Sequence, residues 1–91
     1  MKTKIYQMES KTSYRPVANQ FIIQTPKGDY FQSYQSIIAF KSNNGDLILD
    51  DYYWNYSRTT SKYRNQFTGL TTKETEKAIK DKEIKLKNLN K

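Results

Sequence analysis

Ninety-one residues carry 16 Lys or Arg against nine Asp or Glu, a net charge of +7, with no cysteine and no histidine. A chain this short buries only about two-thirds of its unfolded surface, which predicts one domain with a thin core built largely from aromatic rings. The missing residue types exclude a disulfide framework, a thiolate metal site and the commonest general base, and no apolar run reaches the 18 residues of a membrane span.

The opening residues MKTKIYQMESK lack the apolar stretch of a secretory leader, so an intracellular, cytoplasmic location is expected. Lys4, Tyr6 and Met8 alternate with Ile5 and Gln7, compatible with an edge strand. In NQFIIQTPKGDYF an apolar, β-branched run meets Pro26-Lys27-Gly28-Asp29, where proline presets one turn dihedral and glycine permits a positive one. SIIAFKSNNGDLILD places Asn44-Gly45 between two apolar runs, the pair best suited to a type I′ hairpin turn. Strands are therefore expected near 20–25, 29–33, 36–41 and 46–50, a four- or five-stranded antiparallel meander.

After Asp51 the period lengthens. Tyr56, Thr60, Tyr63, Phe67 and Leu70 recur at intervals of four, three, four and three, which lines them along one side of a helix. Ser57 or Thr59 can cap its first turn and Gly69 can end it, giving limits of roughly 58–68. Thr71 and Glu74 have capping-box spacing, so a second helix follows and stops near Asp81 or Lys82. Beyond it, Glu83 to Lys87 alternates polar and apolar residues, compatible with a short strand or with continued helix. The expected fold is a single α+β domain over residues 1–91. Its sheet spans about 4–50, two short C-terminal helices at about 58–82 pack on one sheet face, and a tail covers about 83–91.

Charge is unevenly placed. Residues 1–52 carry six basic and five acidic side chains, whereas residues 53–91 carry ten and four, so the second half holds +6 of the +7. That field suits nucleic acid or an acidic protein surface, and it equally suits an ordinary lysine-rich solubilising face. Catalysis is not expected. The one tight carboxylate pair, Asp50-Asp51, is expected to be a solvated strand end whose neighbours point to opposite faces, and only a lysine such as Lys62 could activate the hydroxyls of Ser57, Thr59, Thr60 and Ser61. Neither metal nor cofactor is called for, since no Gly-rich phosphate loop is present.

Binding is better supported. Arg58, Ser61, Lys62 and Asn65 fall within about 60° on a helical wheel, a cationic polar face whose first turn favours an anion. The competing reading is that the hydroxyls cap the helix while Arg58 and Lys62 are solvated or pair with Asp50 and Asp51. Just before it stand Tyr52, Tyr53, Trp54 and Tyr56. Trp54 and Tyr56 are the expected core pair, which leaves Tyr52 or Tyr53 exposed beside basic residues, as in a protein hot spot or a base-stacking platform. The expected partner-binding residues are thus Tyr52, Tyr53, Arg58, Ser61, Lys62 and Asn65. The lysines from Lys73 to Lys91 read mainly as a solvated face, with Glu76 and Lys80 a supporting i,i+4 pair.

The order FQSYQSIIAF, NNGDLILD, YWNYSRTTSKYRNQF, ETEKAIKDKEIKLKNLN resembles a family of small uncharacterised proteins encoded by bacteriophages and prophages of low-GC Gram-positive bacteria. The resemblance covers about residues 18–90 and rests on Trp54, Tyr56, Ser57, Thr59, Thr60, Ser61 and Phe67. Such proteins usually carry a glycine in the turn before the last strand, where this chain has Lys82. The resemblance implies a viral setting inside a host cell and supplies no activity. Two functions follow from the residues and that setting. One is a modulator or inhibitor of a host defence, replication or transcription protein, with tyrosines at the centre of the contact and Arg58 and Lys62 at its rim. The other is a nucleic-acid-binding accessory protein that contacts phosphates through its basic half. The residues leave a dimer open.

Overall fold

The structure is a computed structural model that describes residues 3–90. Its strands are β1 (Lys4–Glu9), β2 (Pro16–Thr25), β3 (Gly28–Ser33), β4 (Ser36–Ser42), β5 (Leu47–Asp50) and β6 (Lys85–Lys87), with helices α1 (Arg58–Thr68) and α2 (Thr72–Lys80) between β5 and β6. All six strands join one sheet in sequence order. The first four pairings are antiparallel and β5 with β6 is parallel.

The strand count corrects the expected four or five, and the parallel edge has a geometric cause. Two parallel neighbours cannot be joined by a tight turn and need a crossover of a dozen or more residues. The two helices form that crossover, so they precede the last strand instead of ending the chain.

Register explains the core. Ile22, Phe31, Ala39 and Leu49 stand opposite one another on successive strands, facing one side of the sheet. All four are buried, and Tyr63 of α1 joins the same cluster. Phe67 stacks on Phe31 with centroids 5.8 Å apart. Fully burying a ring such as Phe31 contributes on the order of 2–3 kcal/mol. Of the helices, α1 lies closest to β3 and β4, whereas α2 fully buries only Thr75 and sets Ala78 and Ile79 against the cluster.

Turn chemistry fixes the register. Gly28 opens β3 at φ 152, and a Cβ there would meet the Lys41 carbonyl oxygen at 2.3 Å and Ser42 Cα at 2.8 Å, so a larger residue forces β3 and β4 apart. The β4 to β5 connection differs from the expected type I′ turn. Gly45 alone takes a positive φ, of 92, its N–H donates to the Ser42 carbonyl, and Ser42 N–H donates to the Asp46 carbonyl. This is a three-residue loop, a type I turn closed by a left-handed glycine, in which Asn44 keeps an ordinary φ.

The helix limits follow the capping residues. Ser57 caps α1 by accepting from Thr60 N–H, and Gly69 at φ 80 ends it with its N–H on the Asn65 carbonyl. Thr71 and Glu74 complete the reciprocal capping box of α2. At the far end of α2, Lys82 N–H donates to Ile79 and Glu83 N–H to Ala78, the two bonds of a Schellman turn. Its left-handed position, φ 62, is Lys82 itself, the place where glycine is the ordinary choice.

Candidate docking surface

The segment from Asp50 to Asn65 is built from the inside outward. Asp50 is buried and its two oxygens accept four N–H groups. Oδ1 receives Leu89 N–H at 2.7 Å and the Asn90 amide at 2.9 Å, and Oδ2 receives Tyr52 and Tyr53 N–H at 3.1 and 2.8 Å. Burial alone would raise its carboxyl, but the donors of Leu89, Tyr53, Asn90 and Tyr52 outweigh it and hold the group below the ordinary carboxylate value. The expected solvated strand end is therefore wrong for Asp50, because the chain turns sharply here and offers it unpaired amides. Asp51 is exposed as expected.

Arg64 is the second anchor, and it is 0 % exposed. Its guanidinium donates to the Trp54 carbonyl, to Asn65 Oδ1 at 2.9 Å and to Thr72 Oγ1 at 3.1 Å, and it lies 5.3 Å from the Trp54 ring centre. One side chain thus joins the loop before α1, α1 itself and the start of α2. Burial lowers its pKa from the ordinary arginine value while Glu76 acts in the opposite direction.

Between these anchors the hydroxyls are spoken for. Thr60, fully buried, links Ser57 Oγ at 3.1 Å with Ser33 Oγ at 3.0 Å across the helix–sheet junction. Ser61 donates to Asn55 Oδ1 at 2.9 Å. Three of the four clustered hydroxyls therefore hold the fold, and only Thr59 stands exposed without such a bond.

Outward from this floor rise the tyrosines. Tyr52 packs edge-on to Tyr53 at 4.7 Å and Tyr53 to Tyr56 at 5.4 Å, which makes a continuous ridge. Tyr52 is 73 % exposed and Tyr56 62 %, while Tyr53 is half-buried against the core. Beside the ridge runs an open groove of about 710 Å³, with Tyr53, Tyr56 and Thr59 on one wall and Tyr34, Gln35 and Asn19 on the other. None of its lining side chains is charged. Tyr34 occupies the first position of the two-residue β3 to β4 turn at φ 58, and its N–H donates to the carbonyl of Asn19, itself at φ 66. A tyrosine in a left-handed position that ordinarily takes glycine is strained, and it holds an exposed ring at the rim of the groove.

A model described as a family of unknown function (DUF8033) matches residues 1–85. The chain belongs to that family. No curated protein and no solved structure matches it.

In this DUF8033 domain the expected binding residues separate into two groups. Tyr52, Arg58 and Lys62 are exposed, with the Lys62 ammonium 5.3 Å from the Tyr63 ring centre, and Tyr53 is half-buried beside the groove. Ser61 and Asn65 are turned to internal duties: Ser61 holds Asn55, and Asn65 holds Arg64 and donates to Thr72 at 3.1 Å. The carboxylate of Asp50 is filled by its four N–H donors, so it is not spent on Arg58. The expected core pair is corrected as well. Trp54 packs inward with Tyr53, while Tyr56 points out, because α1 begins only at Arg58 and the helical phase does not reach back to residue 56. Sequence reasoning missed Asn19 and Arg64. For Arg64 a signal existed: it lies four residues after buried Thr60 and three before Phe67, on the inward phase of the helix. Among the described residues no helix is long and apolar enough to cross a membrane.

Proposed function

We propose that this domain is a small basic protein-binding module that modulates or inhibits a host protein, acting in the host cytoplasm in the bacteriophage setting its sequence resembles. The partner docks on the ridge of Tyr52, Tyr53 and Tyr56 and the adjoining groove, with Arg58 and Lys62 at the rim. The observation that carries this reading is chemical: the groove beside the ridge is lined by Tyr34, Tyr53 and Tyr56 and carries no charged side chain. Rigid aromatic rings and depleted charge characterise the centres of protein interfaces. A phosphate backbone would meet no cation among the residues that line the groove.

The second reading, nucleic-acid binding, is favoured by a different surface. Lys73, Lys77, Lys80, Lys82, Lys85 and Lys87 are all exposed on α2 and the chain that follows it. The two readings separate in one pair of experiments. Single- and double-stranded oligonucleotides are titrated at low and moderate salt, and the tagged protein is used to capture partners from a Gram-positive bacterial lysate. Protein docking predicts a captured partner lost with Arg58→Glu or Tyr53→Ala and no strongly salt-dependent oligonucleotide binding. Micromolar oligonucleotide affinity that collapses with salt and survives both substitutions would reverse the order of the two readings.

A further inference from the structure

The side of the sheet away from the helices is also apolar. Ile5, Ile23, Tyr30, Phe40 and Ile48 stand opposite one another across β1 to β5, and the neighbouring row sets Phe21 and Ile37 among the uncharged Gln7 and Gln32. Tyr30 and Phe40 pack ring against ring at 4.6 Å in the middle of it. None of the seven apolar residues belongs to the hydrophobic core or to the residues packed against it. An antiparallel sheet with one face in water ordinarily alternates apolar inward with polar outward, and this one does not.

The charges in the strands are placed the opposite way from an ordinary surface. Within β2 to β5 the charged residues are Asp29, Lys41 and Asp50. Asp29 and Lys41 stand opposite each other on the helix side, where the Lys41 ammonium lies 5.5 Å from the Phe67 ring centre. Asp50 is buried and filled by N–H groups. In a chain with 27 % charged residues the open face of these four strands therefore presents no free charge.

We propose that this face is a homodimer interface, on which a second copy of the chain stacks sheet against sheet. Two observations select a second copy. The first is area. Six strands at about 4.8 Å spacing and about six residues of about 3.4 Å rise cover on the order of 500 Å² in projection. Side-chain relief brings the accessible area toward the roughly 600 Å² per partner where specific interfaces begin, which fits a dimer of micromolar stability. The second is charge. The face can meet itself without repulsion despite the net charge of +7, because the cations lie on the helices and at the β6 edge, where Lys85 and Lys87 are exposed. A two-fold axis along the strands lays the β6 edge of one copy over the β1 edge of the other, which carries Ile5 and Gln7, and keeps the lysine edges apart. The tyrosine ridge remains free on each copy.

Sedimentation equilibrium of the full chain from about 1 to 300 µM tests this. The expected result is a rise from monomer to twice the mass, little affected by salt because Lys85, which stands opposite Ile48 on this face, lies at its β6 edge over Ile5 and Gln7 of the other copy. Ile23→Lys and Ile5→Lys should each weaken the dimer at least tenfold, while Tyr52→Ala leaves it unchanged. Ile5 is already 67 % exposed, so its substitution carries the test even where Ile23→Lys fails to fold. The chain has no cysteine, so Ile5→Cys and Lys85→Cys proteins mixed and treated with a bismaleimide about 10 Å long should give the mixed cross-link in preference to either self-cross-link. A monomer at every concentration, or a dimer indifferent to both lysine substitutions, overturns the proposal. Predominant self-cross-linking through Lys85→Cys overturns the arrangement.

Discussion

Arg58 and Arg64 lie six residues apart on one helix and meet opposite fates. Arg58 stands in solvent at the first turn, beside exposed Thr59 and the tyrosine ridge, whereas Arg64 is enclosed and tied to Trp54, Asn65 and Thr72. The same contrast runs through the preceding loop, where Asp50 and Trp54 turn inward and Tyr52 and Tyr56 turn outward. Residue type does not decide which side chain is structural here. Position relative to the helix axis and to the unpaired amides of the loop decides it, so a cation becomes part of the interior while two aromatic rings are left for a partner.

The sharpest way to break that contrast is to remove each arginine in turn. Arg64→Ala strands the Trp54 carbonyl and leaves a cavity, and a loss of about 3–5 kcal/mol is expected in urea denaturation, most of the stability of so small a domain. Arg64→Lys should recover little, because one ammonium cannot span acceptors arranged for a planar fork. Arg58→Ala should stay within about 0.5 kcal/mol of the parent.

Asp50 sharpens the comparison on the acidic side. Asp50→Asn keeps an acceptor oxygen for two of the four N–H donors but sets its NH2 group against the other two, and should cost about 2–3 kcal/mol at neutral pH. Since the folded pKa lies below the ordinary value, the Asp50 contribution is full above about pH 3.8 and is lost as pH falls through the lower folded value. The parent's urea midpoint should therefore drop on going from pH 5 to pH 2 by more than that of the Asn variant. A smaller effect has the opposite sign. Lys82→Gly relieves the left-handed position after α2 and should stabilise the domain by about 0.5–1 kcal/mol, read as a rise in thermal midpoint.

Local signals account for what was legible. Ser57, Gly69, Thr71 and Glu74 mark the helix ends because capping depends on neighbours within four residues, and both helices end where these residues say. The β2 to β3 and β4 to β5 hairpins were legible for the same reason. The sixth strand was half legible: alternation over Glu83 to Lys87 fits a short strand as well as continued helix, and the pairing of Lys85, Leu86 and Lys87 with residues almost forty positions earlier, which decides between them, has no local signature. The site was half legible. Exposure of Arg58 and Lys62 follows from helical phase, and exposure of Tyr52 from crowding in a thin core. The internal roles of Ser61 and Asn65 follow from the enclosure of Arg64, and Tyr34 reaches the groove only through a hairpin turn that its sequence does not advertise.

The most direct test of the division between inner scaffold and outer ridge is the double variant Tyr52→Ala with Tyr56→Ala, assayed for partner capture and for urea midpoint in the same preparation. The account predicts at least a tenfold loss of capture, about 1.4 kcal/mol or more, with the midpoint within error of the parent. Undiminished capture, or a midpoint that falls as far as that of Arg64→Ala, would contradict it.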